Sequence, residues 1–405
     1  MPYVPPHKRH SNEPVRPSPV PASVLSKFSR NLHLGGRKKT NEQPARIVYA
    51  KDPIWRWFYV GSDGTEDEIP PSVKLVPVSI DSSEWRDGRK PLVLVNTDVG
   101  ERDSKIGATV GSTPWLSVAE KVEDDIFLAF ELAKGGMGHD GSWMEVKPRL
   151  VARFGKILFN EHPSFSLESL KDGLVPEITV MRSKKSFYAN VPASYMENIR
   201  NAAVLKLGFR MEEKDIYYVI LSDETRPGSA ISCKCTVKED KRLNMYRVED
   251  KPLRNCVVDI SCLDHNVDLR LMVYSKRQPP TRTDSELCDI RKLIDSAVID
   301  PNVKGGLRWP LGMASSGGRY SVCVVWHHVI TIYRGPTLRL KVREADRFDF
   351  TTGTGEAARE VNLVLKGIGQ KLEEEEVERS SVSDMLKDVL KLIWDHFLSA
   401  DPYLV

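Results

Sequence analysis

Alternating cations are the feature of this chain with the clearest chemistry. Arg339, Lys341 and Arg343 alternate with Leu338, Leu340 and Val342. A strand here turns its apolar side chains to a core and its cations to the opposite face. Lys147, Arg149 and Arg153 stand at odd positions of Glu145–Phe159, and Arg182 and Lys184 repeat the two-residue step. Each step advances about 6.6 Å, so such rows present cations to successive phosphates of a nucleic acid. The plain alternative is a solvated sheet face with nothing bound.

Other chemistries have thinner support. The chain has no Walker-type phosphate loop, no His-Glu-x-x-His zinc helix and no Gly-x-Ser-x-Gly elbow, so no catalytic set and no cofactor are expected. Gly353-Thr354-Gly355, ahead of a helix expected from about Glu356, would offer amide groups to an anion. Cys233 and Cys235 share a strand face, but a strand does not supply the Cys-x-x-Cys knuckles of a zinc site, and no metal is expected. His327 and His328 point to opposite faces of one strand, so at most one of them belongs to a site. Trp55 and Trp57 share a face and offer stacking surfaces for bases.

These residues need an α+β scaffold, mainly antiparallel sheets with packed helices. Its centre is Gly318–Phe350, where two β-rich runs joined by Gly335-Pro336 predict a long hairpin. Further strands are expected at Arg46–Ala50, Ile54–Val60, Val73–Ile80, Leu92–Asn96, Glu145–Phe159 and Glu177–Tyr188. A second group follows at Ile216–Leu221, Ile231–Val237, Leu243–Val248, Val257–Cys262 and Val267–Tyr274. Helices are expected at Trp115–Ala133, Ala193–Ala203, Asp284–Val298 and Val382–Leu398. Strands, a helix, a Gly-Gly loop with a Trp, two long strands and a helix recur in that order. This divides the body into 46–203 and 204–405, with a diverged duplication over 46–203 and 204–378 set against chance agreement.

Residues 1–45 are Pro-rich and basic and are expected to be disordered. Through Arg46, nine Lys or Arg against two Glu give this arm +7, so the rest of the chain carries −4 of the total +3. Such a tail suits a polyanion or an acidic partner. No apolar run is long enough for a transmembrane helix, and membrane association is not expected. The six cysteines, in apolar surroundings, fit reduced thiols of the cytoplasm or nucleus.

The opening Pro2-Tyr-Val-Pro-Pro-His-Lys-Arg-His10, continued by Pro14–Pro21, resembles the start of a plant family of proteins of unknown function, which brings no residue roles with it. Tyr3, Pro5, Pro6, His7 and Arg9 also resemble the Tyr-x-Pro-Pro-His-x-Arg element of Ded-type DEAD-box RNA helicases. There it overlaps a motif that contacts the cap-binding translation factor, and Lys8 stands where that motif has leucine. The resemblance implies RNA-associated company.

Together these features predict a soluble, non-enzymatic protein that binds RNA or an RNA-associated protein. One alternative is an adaptor that docks partners through Tyr3–His10 and its C-terminal helix. Another is an enzyme acting on phosphorylated substrates, marked by a cleft joining Arg339, Lys341 and His327 to acidic groups. Nothing in the sequence sets the oligomeric state.

Overall fold

The computed structural model describes residues 53–61, 73–78, 91–96, 113–135, 147–160, 184–203, 210–226, 230–250, 253–276, 282–309, 318–374 and 376–398. The arm 1–45 with Tyr3, Pro5, Pro6, His7 and Arg9, the strand expected at Arg46–Ala50, and Arg182 lie outside them.

Among the described residues, thirteen strands join one sheet. They are β1 (Ile54–Val60), β2 (Val73–Pro77), β3 (Leu92–Asn96), β4 (Lys147–Asn160), β5 (Lys184–Tyr188), β6 (Arg210–Asp223), β7 (Ala230–Val237), β8 (Leu243–Asp250), β9 (Leu253–Cys262) and β10 (Asp268–Lys276), then β13 (Tyr320–Arg334), β14 (Leu338–Asp349) and β15 (Thr354–Leu365). A separate short pair is β11 (Val298–Ile299) with β12 (Leu307–Arg308). The main path runs β1-β9-β10-β4-β15-β14-β13-β6-β7-β8, with β2, β3 and β5 attached at the β4 end. All its pairs are antiparallel except β1 with β9. The β13–β14 hairpin sits inside this path, as its β-branched and aromatic content predicts. Strands from either side of residue 204 mix in space: β4 lies between β10 and β15.

The helices are α1 (Pro114–Gly135), α2 (Ala193–Asn198, continued by a wider π turn to Ala203), α3 (Asp284–Asp295), α4 (Lys366–Glu373) and α5 (Arg379–Ile393, continued by a π turn to Leu398). Leu338, Leu340 and Val342 of β14 and Val361, Leu363 and Leu365 of β15 meet α1 and α5 in the larger core. Phe348 continues the same row of β14 and packs with Val325, Val219 and α3 in a second core. Both cores therefore lie on one side of the sheet, and the helices cover that side. Among the described residues, no helix is long and apolar enough to cross a membrane.

One expectation fails outright. The stretch from Glu356 is not a helix but β15. Ala357 and Ala358 favour a helix, yet Val361, Leu363 and Leu365 alternate with Glu360, Asn362 and Val364, and pairing to β14 and β4 overrides local propensity. Gly353, at φ +69°, turns the chain into this strand, so Gly353-Thr354-Gly355 presents no helix N-terminus. A second glycine is needed where β4 leaves β15. A Cβ on Gly155 would lie 2.2 Å from the Tyr188 carbonyl oxygen. There Asn190 and Val191 take over the β15 edge: the Val191 amide donates to the Arg359 carbonyl (2.8 Å), and the Arg359 amide donates to Asn190 Oδ1 (2.7 Å).

Candidate functional site

Directly paired residues in a sheet point to the same side. The register therefore lines up Trp57, Asp259, Arg270, Arg153, Asn362 and Lys341 across β1, β9, β10, β4, β15 and β14. All six lie on the side away from the helices. On the same side of β14, Arg343 faces Glu360, Ala345 faces Ala358 and Arg347 faces Glu356. The neighbouring β13 supplies Trp326, His328, Ile330 and Ile332 to this face. The face is sheltered, since Ile216, Ile330, Ile332 and His328 on it are all buried.

Glu360 is the hub. Its side chain is 4% exposed and meets three guanidinium groups. Arg343 Nη1 donates to Oε2 (3.3 Å), Arg347 Nη2 donates to Oε1, and Arg153 Nη2 lies 3.4 Å from Oε1. Arg153 Nε also donates to Asn362 Oδ1 (3.0 Å). Burial on its own would raise the pKa of Glu360, but attraction by Arg153, Arg343 and Arg347 wins and holds it down at about 2. Three guanidinium groups share the Glu360 carboxylate, with Glu356 opposite Arg347 as the next carboxylate on this face, so cations outnumber carboxylates. The three arginine side chains remain 24–30% exposed, so a ligand can reach them.

His328 stands beside this hub, paired with Ala345 between the rows of Arg343 and Arg347. Its ring stacks on Trp326 (5.7 Å, 12°) and leans on Tyr218 (4.9 Å). Both ring nitrogens, and the Nε atoms of Arg343 and Arg347, are buried without a hydrogen-bond partner among the described residues. Burial, then the charge of Arg343, pulls the His328 pKa down to about 3, so the ring is neutral. Leaving a buried polar group unpaired costs on the order of 1–3 kcal/mol, which makes the arrangement informative.

A second ion cluster on the same face is closed. Arg270 Nε and Nη2 donate to Asp259 Oδ1 (2.5 Å) and Oδ2 (2.7 Å) in a bidentate pair. The Arg270 guanidinium also lies over the Phe187 ring (4.6 Å) and 6.0 Å from Trp55, with Arg254 5.9 Å from Trp55. Trp55 is 53% exposed. Trp57 is tied down instead, its Nε1 donating to Ser261 Oγ (3.0 Å) and its ring lying under Lys185 (4.8 Å). An apolar cluster of β2, β3 and β4 residues, including Ile157 and Phe159, closes this end of the face.

The structure brings together Arg153, Lys341 and Arg343 of the cations singled out from sequence. Arg339 lies on the same face, paired with Val364 on one side and Arg334 on the other, and burial followed by repulsion from Arg334 and Arg149 lowers its pKa. Arg149 lies on the face as well, opposite Tyr274. Lys147 opens β4. Lys184 does not join them: pairing of β5 with β4 puts Lys185 and Phe187 on the polar face and leaves the exposed Lys184 on the other. His327 is also on the other face, its Nε2 2.7 Å from Asp215 and its ring stacked on Tyr217 (4.3 Å). Cys233 and Cys235 are buried in the α3 core and Cys256 and Cys262 in the α1–α5 core, with burial raising the thiols of Cys233 and Cys256 to about 12.

Sequence reasoning missed Arg347, Glu360, Asn362, Arg270 and the placement of His328. Arg347 was within reach, because it continues the two-residue step of Arg339, Lys341 and Arg343 past Ala345. Arg270 alternates with Leu269 and Leu271 in the same way. Glu360 and Asn362 were hidden by the expected helix.

A family model described as a domain of unknown function (DUF7903) matches residues 41–397. No curated protein matches the chain. Two solved structures similar to it are those of the S. pombe Pct1 RNA triphosphatase. In complex with the Spt5 CTD it shows 10% identity and TM-score 0.44, covering 70% of this chain and 95% of that one. Alone it shows 12% identity and TM-score 0.41, covering 70% and 93%. At these values no activity transfers to this chain.

Proposed function

The chain belongs to the family described as a domain of unknown function (DUF7903), and we propose that it binds RNA through phosphate contacts on the polar face. The observation that carries this reading is the hub at Glu360. Three partly exposed arginines share one carboxylate there, and two of them hold buried N–H groups without a partner among the described residues. Arginine forks suit phosphate oxygens. The apolar strip of Ile216, Ile330 and Ile332 beside them keeps water away and strengthens their field.

Extent favours a polymer over a lone inorganic ion. From Trp57 to Lys341 the row crosses five strand steps, about 24 Å. The exposed ring of Trp55 at that end, with Arg254 and Arg270 beside it, suits stacking of a base. His327 lies across the sheet from Arg339 and Lys341, which favours binding over the catalytic alternative. The basic arm would add attraction without shape. We place the protein in the cytoplasm or nucleus, a location consistent with six unpaired cysteines.

The test is an anisotropy titration of a labelled single-stranded RNA with the full chain and with an Arg343→Gln/Arg347→Gln variant. The expected result is a loss of at least roughly tenfold in affinity. Unchanged affinity would overturn the reading.

A further inference from the structure

The geometry points to a ligand role for His328. We infer that it is a contact residue of the anion site and takes up a proton when a doubly charged tetrahedral oxyanion enters between Arg343 and Arg347. This inference rests on the phosphate-binding reading above; the doubly charged group of an RNA is its terminal phosphate, since the internal phosphodiesters carry one charge each.

Three features of the structure support it. Ala345 and Ala358 sit side by side between the Arg343–Glu360 and Arg347–Glu356 pairs, so no long side chain fills that row. His328 stands between Ala345 and Ile216 in this row, buried at 4% exposure with both ring nitrogens unpartnered among the described residues. Its ring is held in place by Trp326 and Tyr218.

The groups around the ring explain why it carries no proton. From β14 it faces Arg343 and Arg347, from β15 Glu360 and Glu356, and from β6 Tyr218, with Lys214 one pair along; His327 lies on the other side of its own strand. Burial and the two arginines oppose a proton on the ring. Glu360 favours one, but it is shared among three guanidinium groups. A divalent oxyanion would offset the arginine charge and accept the hydrogen bond that the ring cannot make now. The proton comes from the buffered solvent: an N–H bond forms on the ring as the buffer acid gives up its proton, and no other covalent bond changes.

Inorganic sulfate is a suitable probe, because it carries two charges and does not itself titrate near neutral pH. The experiment is calorimetric titration of the full chain with sodium sulfate at about pH 6.5 in buffers of differing ionisation enthalpy. The parent should show heats that vary with buffer, reporting roughly half a proton taken up per sulfate. His328→Gln should bind roughly tenfold more weakly with buffer-independent heats. His328→Asn serves as a second variant if the first melts differently from the parent. Sulfate binding by the parent with no buffer dependence would overturn the role of His328 and leave the anion site standing. No sulfate binding by the parent, or binding that Arg343→Gln leaves unchanged, would overturn both.

Discussion

Two ion clusters share the polar face, and the difference between them separates scaffold from site. Arg270 and Asp259 form a matched pair, one guanidinium to one carboxylate, bidentate and buried. Arg153, Arg343 and Arg347 meet Glu360 at three to one, with their guanidinium groups partly exposed and two Nε atoms unpartnered among the described residues. The first cluster is electrically complete, and no ligand is needed to finish it. On the proposed reading, a further anion completes the second. A buried charge that loses its partner is costly, whereas a surplus cation near solvent costs little until a ligand arrives.

The largest expected effect therefore falls on the closed pair. Asp259→Asn strands a buried guanidinium, and urea denaturation should show a loss of about 3–5 kcal/mol with RNA affinity of the folded fraction little changed. Equal stability in that variant would mean the pair is solvated and the contrast between clusters is false.

Glu360→Gln sharpens the comparison in the opposite direction. It should lower stability by about 3 kcal/mol, because three arginines lose their shared counter-charge, yet tighten sulfate binding, because the surplus grows. Acid should mimic it. The Glu360 pKa lies at about 2 against an ordinary 4.5. The unfolded chain thus binds the proton first, and stability present above about pH 4.5 is lost as pH falls through 2. Thermal melts of parent and variant across that range should converge at the acid end.

His328 contributes in a higher window. Its pKa is near 3 in the folded chain against 6.5, so stability present above 6.5 is lost as pH falls toward 3. Replacing it by Gln should flatten the slope of stability against pH there by up to one proton. A slope identical to the parent's would show that the ring is wet and titrates normally.

The smallest effect belongs to Lys184 and Lys185. Lys184→Gln, on the far face, should change neither stability beyond about 0.5 kcal/mol nor RNA affinity. Lys185→Gln removes a cation lying over Trp57 and Phe159 and should weaken RNA binding slightly. A reversal of that order in the anisotropy titration would misplace β5.

The legible parts of this molecule were those in which alternation and turn chemistry agree. Strict alternation at Leu338–Arg343 put Arg339, Lys341 and Arg343 on one side of a strand, and the structure has them so. The bounds of β1 and β3 follow from their apolar runs. The site itself was only half legible, since it depends on which strands are neighbours. Arg153 and Arg343 meet at Glu360 because β15 lies between β4 and β14, and the sequence predicts a helix from about Glu356 where β15 runs. The placement of His328 opposite Ala345 depends on the register of a hairpin whose loop closes from Gly335 to Leu338, which Gly-Pro does not specify. Lys184 was assigned by spacing from Arg182, and a one-residue difference in pairing reverses the face.

The central claim, that the three-arginine cluster contacts RNA phosphates, is tested most directly by the salt dependence of binding. Affinity for a single-stranded RNA should be measured over a range of salt for the parent and for Arg343→Gln/Arg347→Gln. The slope of log affinity against log salt should be shallower in the variant by roughly 1.4, about 0.7 for each lost phosphate contact. Parallel lines of equal slope would contradict the account.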